Sequence, residues 1–268
     1  MEQILCPICG SAETVIFKKF DSANEHRTFQ KCTACSHIFA SNFSPEVLEE
    51  NYSKGYYPSP DSAKITQWIS INRHIWQDLC RDILKFQNNG KSILDFGAGT
   101  GGFLESFLEV SPYTKEIYAV ENAENAKINL QNRFPSGKIY STLEECSKYD
   151  FDCIVSLQCF EHLDEPSAIC KNLYDRLSDD GILVITVPNR YSLRTLLLKQ
   201  RDVFNIANPT HLQFFNIKSL TAMLRRCGFK KICRLASFPQ NGNFHKRIIT
   251  FIMRKFAISS ELRFICRK

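Results

Sequence analysis

The sequence predicts an α/β fold: a doubly wound, mostly parallel sheet with a small metal-stapled module in front of it. Three observations predict it. From Lys91 onward, short apolar runs alternate with amphipathic helical stretches. The first of those runs ends in a glycine-rich turn, Asp95-Phe-Gly97-Ala-Gly99-Thr-Gly101. Two Cys-x-x-Cys pairs, Cys6/Cys9 and Cys32/Cys35, stand 22 residues apart near the N-terminus.

Composition agrees. At 268 residues, 44% hydrophobic and 23% charged, the chain is an ordinary globular protein of about two domains. Collagen-like, mucin-like and wholly disordered classes are excluded, and no apolar run approaches the ~20 residues of a membrane span. The opening MEQILCPICGSAE has neither the basic flank nor the apolar core of a secretory signal, so the cytoplasm is the expected compartment. The expected division is 1–43 as a zinc-ribbon-like module, 44–67 as linker and helices, and 68–268 as the main α/β domain.

The N-terminal module comes first. Zinc takes four soft ligands at tetrahedral angles about 2.3 Å away, and two cysteines three apart on a tight turn supply two of them. The Gly after Cys9 lets the backbone curl toward the sulfurs. TVIFKKF and RTFQKC, between the pairs, read as the strands of a hairpin. About 40 residues cannot bury enough apolar surface to fold alone, and a metal would supply the missing stability. Disulfides are disfavoured in a reducing compartment. Four thiolates on Cys6, Cys9, Cys32 and Cys35 close the site, so the zinc is expected to be structural, with His37 at the surface. The other eight cysteines are scattered singly, most in apolar runs where Cys acts as a small hydrophobe.

Next, Ser44-Pro45-Glu46 opens a short helix through SPEVLEENY, and SKGYYPSPDS reads as a linker. A long amphipathic helix is expected over 61–86. Ile65, Trp68, Ile69, Ile75, Leu79, Ile83 and Phe86 recur there at helical spacing, as a core-facing stripe.

The main domain then reads strand by strand: SILDFG, EIYAVE, KIY, DCIVSLQ and ILVITVP. The helices between them are GGFLESFLEV, AENAKINLQNRF and EPSAICKNLYDRL. Continuous apolar strands between amphipathic helices mean a parallel sheet buried on both faces, with its ligand at the carboxyl ends of the strands. A glycine-rich turn there suits close approach of backbone to ligand. Two carboxylates sharpen the reading. Asp95, just before the first Gly, would repel a pyrophosphate and attract a cationic, amine-bearing ligand. Glu121 ends the next strand, where a carboxylate can accept both ribose hydroxyls of a nucleoside. A nicotinamide cofactor is the competing ligand, since Gly102 completes a Gly-x-Gly-x-x-Gly at 97–102. The charge on Asp95 weighs against it.

These residues resemble the class I S-adenosylmethionine-dependent methyltransferases. The resemblance covers about Trp68 to Lys268. It continues in FDCIVSLQCFEHLDEP, LYDRLSDDGILVITVPN and THLQFFNIKSLTAMLRRCGF. It implies a seven-stranded Rossmann-like sheet, with Gly97, Gly99 and Gly101 lining S-adenosylmethionine, Asp95 facing its amino-acid portion and Glu121 holding its ribose. Ser141-Thr142 stands where the family often has an acidic residue near adenine. The cysteine module followed by a YSKGYY-like segment is similar to a branch acting on small molecules and cell-surface sugars.

Methyl transfer to a hydroxyl needs a base. His162, in Phe160-Glu161-His162-Leu163 past the fourth strand, is the first candidate, with Glu161 to orient it. A purely structural His162 is the equal alternative. His211 in NPTHLQFF is a second candidate, more readily a loop-holding residue. No Asn-Pro-Pro-Tyr-type segment and no Pro-Cys dipeptide follows the fourth strand, which disfavours a nucleic-acid base as acceptor. RNA methylation remains an alternative, as does a non-catalytic cofactor-binding scaffold.

Charge adds one more expectation. Residues 190–268 hold 17 Lys/Arg against 2 Asp/Glu, a net +15, while the first two stretches, 1–60 and 61–189, are net −2 and −7. An anionic small-molecule acceptor or peripheral contact with an anionic membrane fits. FHKRIITFIMRKFAI reads as a helix that is basic at both ends. Packing on the last two strands, KKICRLA and LRFICRK, is its expected role, and contact with a lipid surface the alternative.

Overall fold

A computed structural model describes residues 3–22, 25–43, 63–87, 90–193, 197, 210–236, 239 and 243–268. The expected helix at SPEVLEENY and the linker after it lie outside these residues.

The main sheet has seven strands: β4 (Ser92–Phe96), β5 (Glu116–Val120), β6 (Lys138–Tyr140), β7 (Phe151–Leu157), β8 (Leu177–Pro188), β10 (Lys231–Arg234) and β11 (Glu261–Arg267). They lie side by side as β10-β11-β8-β7-β4-β5-β6. Neighbours from β8 to β6 are parallel, and β11 runs antiparallel to both β8 and β10. Strand order therefore switches beside β4, and the carboxyl ends of β4, β5 and β7 open onto one crevice. β4 and β7 are apolar almost throughout because both faces of the sheet are covered. Ile93, Leu94, Ile154, Val155, Leu183 and Val184 are all fully buried.

Helices α1 (Ala63–Leu84), α2 (Gly102–Leu108), α3 (Glu124–Arg133), α4 (Pro166–Arg176) and α5 (Ile217–Arg226) flank the sheet. On α1 the apolar stripe is only half buried. Ile65, Ile69, Leu79 and Ile83 are in the core, whereas Trp68 is 50% and Ile75 38% exposed, against the expectation of continuous packing. Trp76 instead turns onto the glycine turn, its ring 2.6 Å from where a Cβ on Gly102 would stand.

The N-terminal module is larger than a hairpin. β1 (Thr14–Ser22), β2 (Glu25–Cys32) and β3 (Ile38–Asn42) form an antiparallel sheet whose fourth strand, β9 (Gln213–Phe214), comes from the main domain. Phe29, Ile38, Leu212 and Phe214 share a small core between them.

α6 (Phe244–Lys255) departs most from expectation. None of its residues is fully buried, and the expected packing is partial: Ile248, Phe251, Met253 and Arg254 are half-buried, and Arg234 on β10 donates to the carbonyl of Lys255. Four large apolar side chains nevertheless face solvent: Phe244 is 64%, Ile249 57%, Ile252 44% and Phe256, the residue after it, 69% exposed.

Candidate active site and metal centre

The two cysteine turns have the same construction. The amide of Gly10 donates to the carbonyl of Cys6, and that of Ser36 to Cys32, both at 2.9 Å. Gly10 has φ +72° and Ser36 φ +62°, so each turn closes through a left-handed residue. The thiols converge: Cys6 Sγ lies 3.6 Å from Cys35 Sγ and Cys9 Sγ 3.5 Å from Cys32 Sγ. All four sulfurs lie within 4.8 Å of one another. A tetrahedron of thiolates about 2.3 Å from a zinc has edges of about 3.8 Å, so the cluster is compatible with a structural zinc.

His37 corrects the sequence reading. It is fully buried, not at the surface, with Nε2 2.9 Å from Gln213 Oε1. Burial pushes its imidazole down to about 4. Gln213 in turn donates from Nε2 to the carbonyl of Leu163 at 2.9 Å. Asn216 Nδ2 donates to the carbonyl of Ser36, also at 2.9 Å. The second cysteine turn is thus hydrogen-bonded to the loop that carries Glu161 and His162. Nothing in the sequence places His37 and Gln213, 176 residues apart, together.

A cavity of about 320 Å³ opens at the carboxyl ends of the strands. Of the expected site residues, Gly97, Glu121 and His162 line it, with Ser141, Thr142 and Glu144 on one wall and Gln158 and Cys159 on another. Asp95, Gly99, Gly101 and Glu161 are not among its lining residues. Asn122, Glu144 and Gln158 had no signal in the sequence. Gln158, at φ +53°, turns the chain at the end of β7.

The turn is held from within. Gly97, Gly99 and Gly101 have φ of +77°, +54° and +80°. A Cβ on Gly97 would lie 2.6 Å from Cys159 Sγ, and one on Gly101 2.7 Å from the Phe134 ring. Only glycine combines that backbone with that space. Glu121 ties the turn to β5: Oε2 accepts the Gly99 amide at 2.8 Å and Oε1 the Ala123 amide at 2.9 Å.

Asp95 is 2% exposed. Burial, and then the nearby Glu121, push its carboxyl up to about 8, so it is largely protonated at neutral pH, and a cation beside it would favour the charged form. Burial likewise raises Glu121, partly offset by its amide donors.

Glu161, His162 and His211 form a second group. His162 Nδ1 donates to the Thr210 carbonyl at 2.8 Å, which leaves Nε2 as the basic nitrogen. That nitrogen is 3.9 Å from Glu161 Oε1. Burial holds His162 below its ordinary range and pushes Glu161 up to about 8. Glu161 Oε2 is buried without a hydrogen-bond partner among the described residues. His211 packs edge-on against His162, with centroids 4.8 Å apart, and does not line the cavity. Burial, then His162 and Arg27, lower it to about 3. Burial also raises the Cys159 thiol, which makes it a poor nucleophile despite its place on the wall.

A methyltransferase-domain family model matches residues 68–234. A probable S-adenosylmethionine-dependent methyltransferase of Mycobacterium tuberculosis is 25% identical over 202 residues, 74% of this chain and 68% of that protein. The C-methyltransferase NovU of Streptomyces niveus is 24% identical over 194 residues, 70% of this chain and 42% of its own length. A solved S-adenosylmethionine-dependent methyltransferase of Archaeoglobus fulgidus has the same fold, with a TM-score of 0.54 at 17% identity, covering 84% of this chain and all of that one. With its strand order, its ligand crevice and the matched segment, the chain belongs to the class I S-adenosylmethionine-dependent methyltransferases.

Proposed function

We propose that the protein methylates a small, anionic acceptor, a sugar or another precursor of the cell surface or of secondary metabolism. It would do so in the cytoplasm, at or near the inner face of the membrane. The observation that carries the reading is His162: on the cavity wall, locked by Thr210 into one tautomer, with Glu161 behind it.

S-adenosylmethionine, when bound, supplies a methyl already activated on a sulfonium. The residues that would hold it are the glycine turn at 97–101, Glu121 at the ribose hydroxyls and Asp95 toward the amino-acid portion. What remains for the chain is to align the acceptor within about 3–3.5 Å and take its proton. Kept neutral by burial, His162 can accept that proton at Nε2. Glu161, 3.9 Å away, is placed to balance the imidazolium that forms once its own carboxyl is ionised. His211, buried against His162, positions its ring.

The lining supports a small acceptor: Gln158, Cys159, His162 and Leu163 stand on one side of an open cavity whose only aromatic carbocycle, among the described residues, is Phe96. The test is transfer of a labelled methyl to nucleotide sugars, lipid-linked glycans and bulk tRNA. Labelling of the sugars or glycans, abolished in His162→Ala, is the expected result. Labelling of tRNA alone would overturn the proposed acceptor.

A further inference from the structure

We propose that α6 docks the protein on an anionic bilayer, with the cofactor crevice turned toward the lipid. A surface helix ordinarily buries its apolar stripe and shows its polar face to water. α6 does so only in part: Ile248, Phe251 and Met253 are half-buried, and a second apolar stripe is left outside. Ile249, Ile252 and Phe256, spaced i, i+3 and i+7, form an outward stripe, with Phe244 exposed beyond it. The half-buried side carries Arg247 and Arg254 beside Ile248, Phe251 and Met253. Arg247 Nε donates to the carbonyl of Pro239 at 2.7 Å. Exposed Lys246 and Lys255 stand at the two ends of the stripe, and the helix holds no acidic residue. Apolar side chains framed by cations are the pattern of a helix lying in the interface plane of a bilayer.

Charge selects the occupant. A second copy seated face to face would bring these lysines against their own counterparts. Nucleic acid would answer the charge but leave two isoleucines and a phenylalanine without an apolar environment. A bilayer with anionic headgroups answers both.

Placement adds to this. α6 joins β10 to β11, and the first residue of β11, Glu261, pairs with Pro188 at the carboxyl end of β8. Asn189 Nδ2 donates to the carbonyls of Ala257 and Ser259, just past α6, at 2.8 and 2.9 Å. Gln158, on the cavity wall, lies 3.4 Å from Glu261. The C-terminal end of the helix therefore lies at the same edge of the sheet as the crevice. Docking does not depend on the reaction; only the further step, a lipid-borne acceptor, rests on the proposed function.

The experiment is co-sedimentation of the full chain with phosphatidylcholine vesicles, with and without phosphatidylglycerol. It is run at about 0.1 M and 1 M salt, where the screening length falls from about 10 to 3 Å. Wild type should bind the anionic vesicles at low salt, lose at least about tenfold at high salt, and ignore pure phosphatidylcholine. Each exposed lysine contributes about fivefold. Lys246→Glu/Lys255→Glu should therefore bind weaker by on the order of 10²-fold, as should the apolar variant Ile252→Ser/Phe256→Ser. All four positions are exposed, and an unchanged melting temperature verifies the fold of each variant. Equal binding to both vesicle types, no binding at low salt, or full binding by the apolar variant would overturn the proposal. So would a wild-type dimer that Ile252→Ser/Phe256→Ser dissociates, or RNA binding lost in Lys246→Glu/Lys255→Glu. Sedimentation needs no turnover, so vesicle binding without methyl transfer would fail the proposed function and leave docking intact.

Discussion

Replacing Glu121 by Ala separates two roles that one carboxylate fills. The side chain is 6% exposed and accepts two backbone amides, those of Gly99 and Ala123. Glu121→Ala strands both donors. An unsatisfied buried donor costs about 1–3 kcal/mol, and the low end applies because the crevice lets water reach the turn. Two donors then cost about 2–3 kcal/mol. For a domain of this size, each kcal/mol lowers the melting temperature by about 2–4 °C, so a fall of roughly 4–12 °C is expected without ligand. Glu121→Gln keeps one acceptor oxygen and should show about half of it. The ligand role is a separate quantity. Losing a charge-assisted contact to the ribose costs about 1.5–3 kcal/mol, which is roughly 10- to 150-fold in affinity for S-adenosylmethionine. Scanning calorimetry of the free protein reads the first and titration calorimetry the second. A melting temperature within about 1 °C of wild type, together with unchanged affinity, would refute both roles.

Four further outcomes are expected. Metal analysis should find about one zinc per chain, lost in Cys6→Ser/Cys35→Ser; undiminished zinc in that variant would exclude the four-cysteine site. His162→Ala should lower turnover by on the order of 10²–10⁴-fold with S-adenosylmethionine affinity intact, and near-normal turnover would reduce His162 to a shaping residue. Gly101→Ala forces a left-handed backbone and puts a Cβ 2.7 Å from Phe134 and 2.9 Å from Leu130. It should cost about 2–4 kcal/mol, measured by denaturant unfolding. Finally, Asp95 and Glu161 titrate near 8 in the fold against 3.8 and 4.5 ordinarily. A carboxyl raised on folding stabilises the protein at low pH. Its contribution is full below about pH 4, declines by at most about 1.4 kcal/mol per pH unit, and is gone above about pH 8. The ligand-free melting temperature should therefore fall between pH 6 and 8 in wild type, and fall less in Glu161→Gln. Parallel pH curves for the two proteins would rule out Glu161 as the source.

The catalytic domain was legible because its signals are local. Apolar runs such as ILDF and IVSL between amphipathic helices read as strands buried on both faces, and glycines at 97, 99 and 101 announce a left-handed turn, with no space for a side chain at 97 and 101. The cysteine pairs were legible for the same reason. What escaped was non-local or ambiguous. β9 is two residues long, too short for any period, and pairs with β3 across the whole catalytic domain. His37 was misplaced because its reason for burial, Gln213, is far away in sequence. α6 carries apolar residues on two sides, Ile248 and Phe251 half-buried and Ile249 and Ile252 exposed, and periodicity alone does not say which side the protein covers. The wall residues Asn122, Glu144 and Gln158 belong to no motif.

The β3–β9 pairing also sets an order of events during synthesis. Three strands and all four cysteines of the N-terminal module leave the ribosome first, yet the strand that completes its sheet follows some 170 residues after β3 ends. At about 5–20 residues per second, that strand arrives roughly 10–35 s later. For that interval the edge of β3 and the ring of Phe29, which in the finished fold meets Phe214 at 5.6 Å, stand uncovered. A zinc bound early can hold the cysteine turns but cannot protect that edge. The nascent module is open to wrong pairing, or to a chaperone, until the catalytic domain is nearly complete, and a truncated chain of the first 43 residues would inherit that exposed edge for good.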